Sequence, residues 1–381
     1  MIGLFGAALG LAVSPIMVIH SHYLKEDMIF TFFSILTLIS LVKFYRSPKI
    51  SLAVYLGIAS GLALSSQYKG ALLFVLILVS PLFAVETDRR SFFTKIPVVL
   101  FTAALVFFAV NYPIFINPES FMKGLSYETG HVLRGHTAQI SPLSHYFTFH
   151  LVHSIVPGIK WPFTVLGIIG LILIIIKWKH VGILERLFAA YFLLFYFFQE
   201  AVPLKPFPGF IRYMIPIIPA MFFFTGFLLR ALISRFKTPV VGTVTAAMIG
   251  LLIVVSSYDS FLLDYYLKKD TRAQAAALVK KSGEKAIFER YATDEKCGAI
   301  WLARVDLKKA KKDGVKLLVA SSFNYGRFYF DKKMKGQSPF FYGLRKKYDH
   351  LFALPFKEIR PVHRTYAFSN PVIRIIDISE N

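Results

Sequence analysis

Long apolar runs separated by short polar breaks fill the first two thirds of the chain. A helix that crosses a bilayer takes roughly 20 mostly apolar residues, or about 17 at the short end. Nine runs meet that rule: residues 1–20, 28–44, 50–66, 70–86, 93–111, 162–178, 183–201, 213–233 and 239–257. A long polar loop, 112–161, separates the fifth run from the sixth. After Tyr258 the apolar runs shorten and charges recur every few residues, which places a domain boundary there. Residues 1–257 then form a membrane domain with loop 112–161, and residues 258–381 a soluble unit. In the soluble unit DTRAQAAALVKKSGEK predicts a helix capped by Asp270 or Thr271 and stopped by Gly283. KAIFERYA and VKLLVASS read as strands, FFYGLRKKYDHLFALPF as a helix, and YAFSNPVIRIIDI as closing strands. Helix and strand alternating over this length predict a small α/β fold.

Composition sharpens the membrane reading: 55% of residues are hydrophobic and 39 are Phe, with a mean hydropathy of +0.56. Charge sets an orientation, because short cytoplasmic loops collect Lys and Arg. One set of alternate loops carries Lys43, Arg46, Lys49, Arg89, Arg90, Lys95, Lys177, Lys179, Arg186, Arg230, Arg235 and Lys237. The other set carries fewer bases over longer stretches. Met1 is therefore expected inside the cytoplasmic membrane, with the HSHYLKED turn, loop 112–161 and the C-terminal unit outside. Met1 to Val18 lacks the basic n-region of a signal peptide and is expected to remain as a span. The lone Cys297 makes neither an internal disulfide nor a C-x-x-C motif. Residues 258–381 hold 25 Lys and Arg against 14 Asp and Glu. Beside a bilayer that surplus points to anionic lipid rather than nucleic acid.

Three places carry candidate chemistry. Glu26 and Asp27 lie between two apolar runs, where an acid stays ionised at the water interface while a lipid-borne substrate reaches it sideways; the plainer alternative is a solvated acid or an N-cap for a helix starting at Met28. Lys69 and Arg212 stand at other turns on the same side and suit phosphate, Lys as a point charge and Arg as a fork. Snorkelling membrane anchors are the alternative for both. Loop 112–161 holds His131, His136, His145, His150 and His153. Glu128 and His131 have a spacing compatible with two metal ligands on one helix face, but Gly130 weakens such a helix. Interfacial histidines are the preferred reading, and a divalent metal has only weak support. No G-x-S-x-G, H-E-x-x-H or Walker loop occurs.

The ordered fragments SPIMVIHSHYLKEDMIFTFF, GIASGLALSSQYKGALL, RYMIPIIPAMFFFTG, DTRAQAAALV and YAFSNPVIRIIDI resemble the C-type-fold membrane glycosyltransferases, in particular the family of protein O-mannosyltransferases and the lipid A aminoarabinose transferase. The resemblance implies an α-helical polytopic membrane fold and transfer of a sugar from a polyprenyl-phosphate donor to a protein, lipid or glycan acceptor on the outer face. By the same resemblance Asp27, with Glu26, takes the catalytic acid position, Arg212 falls on an R-Y pair as a donor-phosphate residue with Lys69, and His136 and Tyr68 belong to the acceptor or donor loop. The family commonly has Lys just before the Tyr where this chain has Gln67. Relatives also begin with an additional span and an acid-bearing external loop that holds the catalytic base. The chain is therefore expected to be inactive or nearly so by itself, with a partner subunit as one source of the missing part. Two other classes compete. A secondary transporter would place its charges mid-span and show repeated halves. A non-catalytic lipid-phosphate-binding subunit would tolerate loss of Asp27 while needing Arg212 and Lys69.

Overall fold

A computed structural model of the chain describes residues 2–23, 25–83, 89–134, 146–201, 211–236, 238–293, 298–299, 301–329, 339–363 and 370–379. It divides into two compact units: Met1–Thr129, Tyr146–Ala201 and Ile211–Tyr258 form one, and Gly130–His145, Val202–Phe210 and Asp259–Asn381 the other.

The first unit is helical. Its opening run is not one helix but two, α1 (Ile2–Ala12) and α2 (Pro15–Ser21). Pro15 causes the break, since its ring excludes helical geometry at the preceding residue, and Ser14 is extended at φ −68°, ψ 135°. Helices α3 (Glu26–Arg46) and α4 (Ile50–Ser66) follow as an antiparallel pair. The run predicted at 70–86 is a 3-10 turn, Tyr68–Gly70, then a short α5 (Ala71–Val79) and a second turn at Ser80–Leu82. Helix α6 (Arg89–Val110) packs closely on α4: a Cβ at Gly57 would come within 2.7 Å of the Val99 carbonyl oxygen, and one at Gly61 within 2.7 Å of that of Ala103. Small residues permit this approach without a hydrophobic driving force.

The described parts of loop 112–161 hold helices that its polar sequence does not predict. These are α7 (Pro113–Ile116) and α8 (Pro118–Arg134), and Gly130 does not interrupt α8. The chain re-enters the bundle through a π turn at Leu151–Ile155 and continues as α9 (Val156–Ile176), kinked at Lys160 with φ 70°. Then come α10 (Ile183–Ala201), a 3-10 segment at Ile211–Ile217, α11 (Ile218–Phe236) and α12 (Pro239–Leu267). Helix α12 outruns its predicted end because neither Gly nor Pro follows Ser257 to stop it.

Five helical segments among the described residues are long and apolar enough to cross a membrane: Glu26–Arg46, Arg89–Val110, Leu151–Ile176, Ile211–Phe236 and the run opening at Pro239. Ile50–Ser66 and Tyr68–Leu82 are shorter apolar helices. Five of the nine predicted runs correspond to these segments; of the other four, Ile50–Ser66 is a 17-residue helix and 183–201 is α10, while Pro15 splits the first run and two 3-10 turns shorten the described part of the fourth. The C-terminal end of α3 is tied to neighbouring elements, Tyr45 Oη donating to Ser80 Oγ at 2.6 Å. Arg186 nearby donates to the carbonyls of Phe83 at 2.6 Å and Trp178 at 2.8 Å. The start of α3 lies at the opposite end of that helix.

The second unit is α/β. Strands β1 (Ala286–Phe288), β2 (Leu317–Ser321), β3 (Phe356–Ile359) and β4 (Ile373–Asp377) form a sheet of order β1-β2-β4-β3. The β1–β2 pair is parallel and the other two are antiparallel. Helix α13 (Thr271–Ser282) is capped by Asp270, whose carboxylate accepts from Arg272 N, and ends at Gly283 with φ 72°. Successive strand residues point to opposite faces. Val319, Ile373 and Ile375 therefore pack with Ala275 and Val279 of α13, while Leu318 and Ile376 pack with residues of α15 (Ser322–Tyr329) and α16 (Pro339–Phe352). The short α14 (Leu307–Lys312) lies on the crossover between β1 and β2.

One acid lies inside this second core. Glu289 accepts hydrogen bonds from Leu302 N at 3.0 Å, Ser321 N at 2.9 Å and the Tyr348 hydroxyl. Burial outweighs these bonds and pushes its carboxyl up to about 7 from 4.5. The folded state then holds a proton that the unfolded state releases between those values, so stability falls as pH rises from about 4.5 to 7. At about 1.4 kcal/mol per pH unit the loss is on the order of 3 kcal/mol. Hydrogen-exchange protection factors of β2 and β4 in the full chain should be lower at pH 8 than at pH 5, and Glu289→Gln should flatten the difference. An unchanged pH profile in the variant would refute this assignment.

Candidate functional site

Three helix starts meet at one end of the membrane unit: the first turn of α3, the 3-10 turn leading into α5 and the 3-10 segment leading into α11. The last is 3-10 because IRYMIPIIP places prolines where an α-helix needs N–H donors; Tyr191 Oη donates to the Pro216 carbonyl at 2.8 Å and fixes the break. Gly70 lets the middle turn fold onto α4, since a Cβ there would sit 2.6 Å from Leu64 Cα. Helix starts carry partial positive charge, which suits this end to an anion.

Asp27 lies at this junction with 2% of its surface exposed. It does not cap α3, which begins at Glu26 after an uncapped Lys25. Its Oδ1 accepts from Gln67 Nε2 at 2.7 Å, and its Oδ2 lies 4.0 Å from Arg212 Nη1. At an effective dielectric near 20 an ion pair at that separation is worth on the order of 4 kcal/mol before desolvation is subtracted.

Lys69 and Arg212 are not snorkelling anchors. Snorkelling buries the stem and leaves the charge in water, yet Lys69 Nζ is buried while part of the side chain is exposed, and it has no hydrogen-bond partner among the described residues. It sits 4.9 Å from the Tyr213 ring centroid. The Arg212 guanidinium carbon is 5.4 Å from the same ring, with buried Nε and Nη1 and a side chain 18% exposed. One aromatic ring thus lies against both cations, each also within electrostatic reach of Asp27 and Glu26.

The other predicted residues are less enclosed. Glu26 is exposed, and Tyr68 is 47% exposed. His136 lies outside the described residues, as do His145 and Cys297. His150 is buried and bonds Ser154 Oγ at 3.1 Å, while His153 packs on Phe149. Among the described residues no group of three or more His, Cys, Asp or Glu could hold a metal ion.

Several participants were not singled out from the sequence. Gln67 and Tyr213 join residues distant along the chain, which no local pattern reveals. His20, buried with Nδ1 2.8 Å from the Ile16 carbonyl, feels both Asp27 and Arg212. Glu200 ends an apolar run and is fully buried; its Oε1 accepts from His150 N at 2.7 Å, anchoring the re-entry into α9. Its only sequence signal is a charge inside the run.

The fold is that of a polytopic helical membrane protein with a small α/β unit. Residues 1–114, which contain α1 to α6 and make up less than a third of the chain, match the model of the dolichyl-phosphate-mannose-protein mannosyltransferase family. It covers Asp27, Gln67 and Lys69 but ends before Arg212. Comparison with curated proteins returned no match.

Proposed function

We propose that the chain binds a polyprenyl-phosphate-linked sugar and supports transfer of that sugar to a protein, lipid or glycan acceptor. The observation that carries this reading is the pair of cations, Lys69 with its Nζ buried and Arg212 with its Nε and Nη1 buried, beside the buried carboxylate of Asp27. Together they leave one positive charge, which matches the one negative charge of a phosphodiester. When the anomeric C–O bond breaks, the leaving phosphate gains a second negative charge, and both cations stabilise it. The acceptor oxygen bonds to the anomeric carbon as its proton passes to a carboxylate, a role open to Asp27 through Oδ2 or to the exposed Glu26. The basic loops face the cytoplasm in this reading, and the site and C-terminal unit face outward from the cytoplasmic membrane, where basic residues meet lipid headgroups.

A second reading keeps only the binding step, as in a lipid-phosphate-binding subunit that serves a partner. It is favoured by the bond from Gln67, which already occupies one oxygen of Asp27. Both readings require phosphate recognition. In vesicles, decaprenyl phosphate should bind the full chain at least about tenfold tighter than decaprenol, as a charge-assisted contact implies. Equal affinity for the phosphate and the alcohol would dismiss the site.

A further inference from the structure

We infer that Gln67 and Asp27 together form a hydroxyl-reading pair beside the cations, so that Gln67 sets the preference for a sugar-bearing lipid phosphate over the bare one. The inference rests on the phosphate reading of Lys69 and Arg212 and adds a specificity-determining residue to it.

Gln67 follows the last turn of α4 in extended geometry, with φ −152° and ψ 138°. Its backbone is fully used: N–H donates to Ala63 O at 3.1 Å, and its carbonyl accepts from Gly70 N at 2.8 Å, closing the turn that presents Lys69. Only the side chain crosses to α3, where Nε2 donates to Asp27 Oδ1. That bond leaves two acceptors, Gln67 Oε1 and Asp27 Oδ2, both buried and without hydrogen-bond partners among the described residues. They belong to two groups already bonded to each other, so they lie a few ångströms apart.

A buried acceptor without a donor is costly, and a ligand that supplies the donor recovers that cost. Lys69 and Arg212 offer only donors, which bare phosphate satisfies. Gln67 Oε1 and Asp27 Oδ2 offer only acceptors, which phosphate oxygens cannot satisfy and hydroxyl groups can. A ligand with hydroxyls a few bonds from a phosphate, as in a phosphate-linked hexose, satisfies both halves. The neutral amide is suited to its place: it donates to Asp27 with one end and accepts with the other. An ionised Glu there would repel Asp27, and a Met would fill the space without either bond.

The test compares the affinities of decaprenyl methyl phosphate, which carries the single negative charge of the sugar diester but no hydroxyl, and decaprenyl-phosphate-mannose for the full chain in lipid vesicles. The wild type should prefer the mannosylated lipid by about tenfold, the worth of one well-placed hydrogen bond to a charged group. Gln67→Met should bind decaprenyl methyl phosphate within about twofold of wild type and lose most of the preference for the sugar. Gln67→Glu should lack the preference at neutral pH and recover it under acid, when a protonated carboxyl can again donate to Asp27 and accept from the sugar. That recovery is not expected of a side chain that merely supports the turn. Equal wild-type affinities for the two lipids, an undiminished preference in Gln67→Met, or a pH-independent Gln67→Glu would each overturn the inference while leaving the phosphate reading in place. Wild type that binds decaprenyl phosphate no better than decaprenol would remove both.

Discussion

In membranes where the wild-type chain supports sugar transfer, Arg212→Ala is expected to lower that transfer by about two to three orders of magnitude, the usual loss when one preorganised donor to a developing oxyanion is removed. The size of the effect follows from where the guanidinium sits. It is held over Tyr213 with Nε and Nη1 buried, so its charge acts in a weakly screened environment. Arg212→Lys keeps the charge but loses the planar fork, and should recover only part of the rate. The decisive comparison is transfer from a polyprenyl-phosphate sugar by membranes containing each variant. Undiminished transfer by Arg212→Ala would take Arg212 out of the donor site and leave Lys69 as its only cation.

Asp27→Asn has the second large effect, and its two readouts should move in opposite directions. Asn preserves the shape but removes the one buried carboxylate that offsets Lys69 and Arg212. Breaking a buried ion pair on one side costs about 3–5 kcal/mol; with Arg212 partly exposed at 4.0 Å, a loss of about 2–3 kcal/mol in unfolding free energy is expected. Adding Lys69→Met to Asp27→Asn should return much of it by removing a now uncompensated cation. Binding of decaprenyl phosphate should tighten, because a repelling charge is gone, while transfer should fall if Asp27 takes the acceptor proton. Tighter binding with unchanged transfer would assign the proton to another group and leave Asp27 an electrostatic role. No change in either stability or binding would mean that the carboxylate is not coupled to the cations.

The architecture was legible where local rules dominate. The run 183–201 became α10 with the same bounds, and Asp270 and Gly283 delimit α13 as capping chemistry predicts. The failures have local causes too: Pro15 divides the first run, and α12 continues through Ser257 because serine does not end a helix as proline does. The candidate site divides along the same line. Asp27, Lys69 and Arg212 stand out in sequence because charges beside apolar runs are expensive, and the fold brings those three together. Their relation to Gln67 and Tyr213 was hidden, since a hydrogen bond between α3 and the end of α4 leaves no periodic trace. Lys69 also inverts the ordinary expectation for a membrane lysine, and only packing around Nζ reveals that.

The order of strands in the C-terminal unit bears on how that unit comes into being. β4 is the last strand to be synthesised, yet it lies between β2 and β3 and makes two of the three pairings in the sheet. The segment just before it also reaches back to the beginning of the unit, Asn370 Oδ1 accepting from Thr271 N at 3.0 Å and the Pro371 carbonyl from Thr271 Oγ1 at 2.6 Å. During vectorial synthesis β1, β2 and β3 therefore wait, with β3 lacking any partner strand, until residues 370–377 have cleared the ribosome. A premature stop shortly before Ile373 would remove β4 from the sheet and leave β3 unpaired and one edge of β2 open, the form of the unit most exposed to quality-control proteolysis.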